Sequence, residues 1–591
     1  MYHSTQAQVM SLKQFRVNCG PAAVAASVLG AGVGAVDAAV MYFNLRPLGK
    51  IHYLNHLFWF WVPMTWIAVC LGVGLLFSLP RLRRFLIPAL IFAGPGLLVL
   101  SRSAYQLRDV DGLSTRTIAI GWFVVTAAVG AIAARFFDVR PISDRRSFAM
   151  TASSWVLVTA GVFSVSGNAP AVQQVEKSAP TTDRNVVLVF LDTIRYDDTS
   201  LDRYSSNTPN LARFASEATT FDNAWSTAPW TLPAHSAVLT GIEPWRSAAG
   251  ATTMAERFSH SGFATAAILS NPLLNPSIDF TRGFQHLTYS ISSGPCQSGL
   301  GHLLLRLEEH DLPIPRVCGL MLADEITDRA TAFIEKAPRP YFLTLNYYDG
   351  HFPYFVPKEC RGPAYDPYDD TDIAAMHRTE QGKGPLPADS GTQFRNQHRL
   401  AIQCMDRSLG TLFTTLRRQH DYDKTIVVVV ADHGEQFGAH SLVGHGNSLY
   451  RQLLHVPLVV RVPGRTPARL DGPVSTVDLH ETLLEWAGVQ RNPGTDLALF
   501  DEARRHPAVA EYLNQPTGHQ TFSAANGRYH LIVGLDKRQE LYDYTNDPTE
   551  QHPLLQRFET SDLLKRIETA KHQWDGTRST AEVFRSLGYL E

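Results

Sequence analysis

The sequence predicts an α/β protein in two parts, an N-terminal set of membrane-spanning helices followed by a doubly wound mixed-sheet domain. Apolar residues before about residue 168 gather in long blocks with few ionisable groups. Further on, the runs NVVLVFLD (185–192) and TIVVVVAD (425–432) each end in a carboxylate, the pattern of a buried parallel strand with a functional residue at its carboxyl end. Helix-like and strand-like stretches alternate around those runs, as in a sheet covered on both faces.

Five apolar stretches, 19–44, 54–79, 85–100, 118–137 and 148–166, are read as spans, most of them near the ~20 residues that cross a bilayer. The third holds Pro95 between glycines and the first holds Asp37, so each of these two is either a span or a re-entrant or interfacial segment. Lys13, Arg16, Arg81, Arg83, Arg84, Arg135, Arg140, Arg145 and Arg146 fall on one side, against a smaller load of Arg46, Lys50, Arg102, Arg108 and Arg116 on the other. The heavier side is expected to be cytoplasmic, which puts the C-terminal part on the periplasmic or extracellular side of a plasma or inner membrane. With no short apolar region running into a small-residue cleavage site, a permanent multi-pass anchor is expected rather than a removable signal.

At 591 residues the chain exceeds one compact domain. The expected organisation is a transmembrane domain over 1–168, a Pro-containing linker over 169–183, a main α/β domain over 184–500 and a C-terminal subdomain over 501–591. A net charge of −2, without a Lys/Arg stripe interleaved with aromatics, argues against a nucleic-acid partner. A transporter would need ionisable residues at depth in several spans, and Asp37 is almost alone there. The six cysteines show no CxxC spacing; either Cys296 and Cys318 close a loop disulfide or the thiols are free and buried.

Between the two carboxylate-ended runs, helices are expected over about 208–217 and 399–419, and strands at FATAAILS (263–270) and YFLTLNYY (341–348). Val477, Leu479, Leu483, Leu484 and Trp486 share one face of a helix that packs on the sheet. RYHLIVG (528–534) and ELYDYTNDP (540–548) are strand-like, and a helix follows near 563–574.

Six motifs then fall in one order: LDTIRYD (191–197), APWTLPAHSAVLTG (228–241), HFPY (351–354), ADHGEQFGAH (431–440), HGNSLYRQLLHVPLVVRVPG (445–464) and LYDYTNDPTE (541–550). Over roughly 184–550 this resembles the sulfatase branch of the alkaline phosphatase superfamily. The resemblance implies that main domain, a small C-terminal sheet, and a divalent metal (Zn, Mn, Mg or Ca) held by Asp192, Asp432 and His433. It also implies that Thr231, within the pattern Thr231, Pro233, Leu239, Thr240, Gly241, is both metal ligand and nucleophile. Read without it, Asp192 and Asp432 cap helices and Thr231 is an N-cap. Ser236 is a weaker nucleophile candidate because it lies inside the expected helix.

The chain also departs from the family. Sulfatases carry Cys or Ser where Thr231 stands, for oxidation to formylglycine, and Arg where His235 stands. A secondary alcohol would oxidise to a ketone, so no formylglycine is expected. Thr193 occupies a position where many sulfatases place a second carboxylate, which favours a single metal. Threonine nucleophiles and about five spans are instead what the resemblance implies for phosphoethanolamine transferases and lipoteichoic acid synthases. His351 and His445, the latter where many sulfatases have Lys, would bind ester oxygens, protonate the leaving group or hold a second metal. Arg195 either contacts the ester anion or pairs with Asp197.

The expected function is phosphoryl transfer or phosphodiester hydrolysis, on an anionic ester of a membrane lipid or envelope glycan, through covalent Thr231. The alternatives are sulfuric ester hydrolysis without formylglycine and a non-catalytic lipid sensor or scaffold.

Overall fold

The computed structural model describes residues 182–290, 321–490, Leu499 and 506–573, apart from 247–249, 276–277, 355, 363–364, 366–367, 369, 381, 515–518, 535–537 and 555–560. The predicted spans, the Cys296–Cys318 pair and most of the linker lie outside the described residues. Among those described, no helix is long and apolar enough to cross a membrane.

The main sheet is built from β1 (Asn185–Leu191), β2 (Thr219–Trp225), β3 (Ala264–Leu269), β4 (His286–Tyr289), β5 (Tyr341–Tyr347) and β6 (Thr425–Ala431). After the short hairpin β7 (Gln436–Phe437) and β8 (Val443–Gly444) come β9 (His455–Arg461), β10 (Ala468–Leu470) and β11 (Val474–Ser475). The order is β10-β2-β9-β6-β1-β5-β3-β4, with β11 beside β2. The strands from β6 through β1, β5 and β3 to β4 run parallel, while β9 is antiparallel to both β6 and β2. Every residue of β1, β5 and β6 is buried, which is why these runs are continuously apolar and β-branched instead of alternating.

Helices α1 (Pro209–Ala215), α2 (Thr231–Thr240), α3 (Met254–His260), α4 (Ala323–Lys336), α5 (Asp370–Glu380), α6 (Ala388–Arg418), α7 (Arg451–Leu454) and α8 (Leu479–Trp486) accompany the sheet. Helix α6 begins about three turns before the expected 399, its earlier part burying Phe394, Gln397 and His398. Leu479, Leu483 and Leu484 of α8 join the core, with Trp486 partly buried against it. The C-terminal sheet is an antiparallel meander of β12 (Ala508–Asn514), β13 (His519–Ala525), β14 (Tyr529–Gly534) and β15 (Gln539–Asp543). Helix α9 (Ser561–Gln573) lays Leu563, Ile567 and Ala570 into the same cluster as Phe522, Leu531 and Val533.

A disulfide joins Cys360 to Cys404. It ties the segment after β5 to α6 and is a pairing that spacing alone did not single out.

The amino ends of three strands meet at one buried carboxylate. Asp421 accepts hydrogen bonds from Asn185 Nδ2 and Arg339 Nε, each at 2.7 Å. Burial pushes its pKa up, but the Arg339 and Asn185 hydrogen bonds outweigh this and hold it below the ordinary value. A depressed folded-state pKa contributes stability that is present above the unfolded value, ~3.9, and lost as pH falls through the folded one. Asp421→Asn is therefore expected to destabilise by about 1–2 kcal/mol near neutral pH, the lower range because Arg339 keeps 25% of its side chain in water. Urea unfolding at a series of pH values checks it: the deficit should shrink as the wild type is acidified below pH ~4.

Candidate active site

The strand register assembles the site. Leu191 of β1 pairs with Ala431 of β6, so the next residue of each strand, Asp192 and Asp432, emerges beside the other at the carboxyl edge. Leu191 also pairs with Tyr347 of β5, and Leu269 of β3 with Asn346, which brings Asn271 and Asn346 to the same edge. Asn271 Nδ2 donates to Asp192 Oδ2 at 2.7 Å and to Thr231 Oγ1 at 3.2 Å, while Asn346 Nδ2 reaches Asp192 Oδ2 at 3.3 Å.

Thr231 is the first residue of α2, whose N-cap, Trp230, supplies no side-chain cap; the first-turn N–H groups therefore favour an anion. Its Oγ1 lies 3.3 Å from His433 Nε2. His433 Nδ1–H donates to the Gly434 carbonyl at 2.9 Å, leaving Nε2 as a lone-pair donor, as a ligating imidazole requires. That Nε2 stands 3.4 Å from Asp432 Oδ2 and 4.0 Å from Asp192 Oδ1.

Asp192 Oδ1 and Asp432 Oδ2 are both buried and accept no hydrogen bond from any described residue. Burial pushes Asp192 up to about 6, and burial together with the Asp192 charge pushes Asp432 well above the ordinary carboxylate range. Orphaned, mutually repelling carboxylate oxygens beside an imidazole lone pair form a donor set that a divalent cation satisfies. The ligand atoms of Asp192, Asp432 and His433 lie within 4.8 Å of one another. The residues thus fit the expected metal; oxygen and nitrogen donors suit Zn, Mn, Mg or Ca alike.

The remaining predicted histidines line one side. His445 packs its ring 4.6 Å from that of His433, and His351 lies 4.8 Å from His445. His351 Nδ1–H donates to the Phe352 carbonyl at 2.7 Å. Burial holds its pKa down at about 3. Burial also works to lower His445, but Glu435, whose Oε1 is 3.1 Å from His445 Nδ1, raises it above the ordinary value. His235 lies one turn into α2, with Nδ1 3.0 Å from the Thr231 carbonyl and 3.4 Å from Asp432 Oδ2. Ser236 is inside the same helix.

Arg195 is placed differently. Nε and Nη2 both donate to Asp197 at 2.7 Å, and Nη1 donates to the Glu435 carbonyl at 3.2 Å. Of its two readings, the ion pair is the arrangement present. Sequence reasoning missed Asn271, Asn346 and Glu435. Asn271 carried the signal that exposed Asp192, a polar residue just beyond a buried strand; Glu435, in the quoted ADHGEQFGAH, is explained only by its partner.

A mixed α/β sheet with strand-end carboxylates, an imidazole and a helix-start hydroxyl around one cation-sized gap defines a metal-dependent ester hydrolase of the alkaline phosphatase type. The chain belongs to the sulfatase family, whose model matches residues 184–489. It is similar to an uncharacterized sulfatase of Escherichia coli, YidJ, at 24% identity over 408 residues, 62% of this chain and 81% of that protein. Human iduronate 2-sulfatase is 26% identical over 346 residues, 48% of this chain and 61% of the human protein. Among solved structures, the phosphonate monoester hydrolase of Agrobacterium radiobacter shares the fold at a TM-score of 0.52 and 18% identity, over 66% of this chain and 96% of that one. The protein is accordingly an enzyme, a hydrolase of this superfamily.

Two variants separate ligand loss from loop distortion. Asp432→Asn removes a ligand charge without changing volume. Gly434→Ala drives a Cβ into the Gln452 carbonyl and against Arg195 Cγ, displacing the loop that carries both Asp432 and His433. Both are expected to weaken metal binding by at least ~10–100-fold, read as metal per chain by mass spectrometry after dialysis. Gly434→Ala should also lower the unfolding midpoint.

Proposed function

We propose that this enzyme transfers or hydrolyses a phosphoryl group, with Thr231 carrying it as a covalent phosphothreonine. The observation that supports this above all is the identity and seat of Thr231, a secondary alcohol at the start of α2 with its Oγ1 3.3 Å from His433 Nε2. A divalent cation held by Asp192, Asp432 and His433 would supply an ionised Thr231 oxygen at neutral pH and offset the charge of the ester.

Thr231 Oγ1 forms the new bond to phosphorus as the bond from phosphorus to the leaving alcohol oxygen breaks. The departing oxygen takes a proton from His445, whose protonated form Glu435 favours and whose ring lies 4.6 Å from that of His433, with the neutral His351 beside it. A water or acceptor hydroxyl then gives its proton to the same histidine and attacks phosphorus, releasing the Thr231 oxygen. The uncapped first turn of α2 offers donors for the non-bridging oxygens, while Asn271 Nδ2 holds the Thr231 oxygen. His235 sits behind Thr231 and Asp432, where it steadies both.

The substrate we infer is an anionic ester of a membrane lipid or envelope glycan, met on the periplasmic or extracellular face of the membrane that 1–168 would anchor. The cation asymmetry of the apolar region supports that side. So does the Cys360–Cys404 bond, since disulfides persist in oxidising compartments. Sulfuric ester hydrolysis by unmodified Thr231 is the second reading, favoured by relatives named as sulfatases.

Peptide mapping of metal-loaded protein, after incubation with a lipid extract and with phosphodiester or sulfate ester probes, decides between them. A phosphoryl adduct on Thr231, absent in Thr231→Ala, is expected, with turnover in that variant lower by roughly 10³-fold or more. A sulfated Thr231, or sulfate release without any phosphoryl adduct, would sink the phosphoryl reading.

A further inference from the structure

Thr193 is the only β-branched residue among the described ones whose backbone lies in the left-handed region, at φ 58°. A β-branched side chain is strained there, and such strain persists only where the surroundings over-determine it. The conformation has a use. It turns the Thr193 N–H to Asp432 Oδ1 at 3.2 Å, and the His433 N–H reaches the same oxygen at 2.8 Å. With Oδ1 doubly engaged, the Asp432 carboxylate is rotated so that Oδ2 faces His433 Nε2.

Three contacts hold the turn. Thr193 Oγ1 donates to the Asp192 carbonyl at 2.7 Å. Gly350 closes over it so tightly that a Cβ there would stand 2.8 Å from the Asp192 carbonyl oxygen. From the far side, His398 of α6 donates Nε2–H to the Thr193 carbonyl at 3.0 Å. His398 is fully buried. Its Nδ1 lies 3.6 Å from Asp198 Oδ2, and Asp198 is gripped by Arg399 at 2.7 Å and Arg395 at 3.0 Å.

We propose that His398, which lies in none of the sequence motifs, is a positioning residue for the metal centre: by holding the Thr193 carbonyl it maintains the strained turn that aims the Asp432 carboxylate. His398 touches neither metal nor ester and acts through Thr193. The inference rests on the metal site read above, and it holds whether the ester is a phosphate or a sulfate.

The test is Mn2+ binding to metal-stripped full-length protein, followed by electron paramagnetic resonance, so that no turnover is needed. His398→Ala is expected to raise the Kd for Mn2+ by about 10–100-fold, while His398→Gln, which keeps an N–H within reach of the carbonyl, binds as the wild type does. Thr193→Gly in the His398→Ala background should return the Kd to that of Thr193→Gly alone, because glycine takes a positive φ without strain.

A double variant that binds more weakly than Thr193→Gly alone, or a His398→Ala protein that binds normally, overturns the proposal. His398→Leu, which fills the volume without a donor, covers a His398→Ala protein that fails to fold. Weak Mn2+ binding in His398→Leu that Thr193→Gly restores supports the proposal; normal binding refutes it. Wild-type protein that takes up neither Mn2+ nor Zn2+ would overturn the metal site itself and this inference with it, an outcome separate from any ranking of the variants.

Discussion

The pairing of Leu191 with Ala431 places two carboxylates side by side where water cannot solvate them. In isolation that arrangement is unfavourable: burial and like charge both oppose ionisation, and each carboxylate keeps one oxygen without a hydrogen bond. Much of what surrounds the pair makes sense as a response to this. The two asparagines hydrogen-bond only the far oxygen of Asp192, and backbone N–H groups occupy only Oδ1 of Asp432. The oxygens left over share one small space with an imidazole lone pair and a threonine hydroxyl.

The parts of the chain that complete the site come from well-separated segments, tied together behind it by backbone bonds. Gly446, next to His445, donates its N–H to the Pro229 carbonyl at 2.8 Å, linking the histidine segment to the loop that delivers Thr231. Glu511 of β12 donates its N–H to the Thr227 carbonyl at 3.0 Å, so the C-terminal sheet braces that same loop. Glu550 joins the C-terminal region to α7, accepting from the Arg451 N–H at 2.7 Å and pairing with His530. These links place Thr231 on rigid supports, which matters because a displacement of about 1 Å in a reacting group can forfeit ~10²-fold in rate.

The segment after β5 answers a different need. Tyr354, Val356, Met376, Leu386 and Phe394 form a small core of their own, with Phe352, Tyr368 and Phe437 packed on it. The Cys360–Cys404 bond pins this cluster to α6. His351 leads into it, so this histidine is carried by a cluster packed apart from the main core. Its neighbour His445 is oriented instead by a carboxylate, Glu435, from the loop that bears Asp432 and His433.

The candidate-site residues were legible because their signals are local. An apolar β-branched run can be read as a buried parallel strand without its partners, and a carboxylate at its end is conspicuous, so Asp192, Asp432 and His433 emerge from the sequence, and Thr231 from the motif around it. Their partners were not legible. Asn271 meets Asp192 across 79 residues of chain and His398 meets Thr193 across 205, and which polar side chain fills such a place depends on strand order and register. The same applies to Cys360 with Cys404, whose approach no spacing announces. The sequence by itself determined which atoms could bind a cation and attack an ester. Only the tertiary structure decided how those atoms are aimed, because aiming is a property of non-local packing around groups whose own hydrogen-bonding capacity is left unfilled.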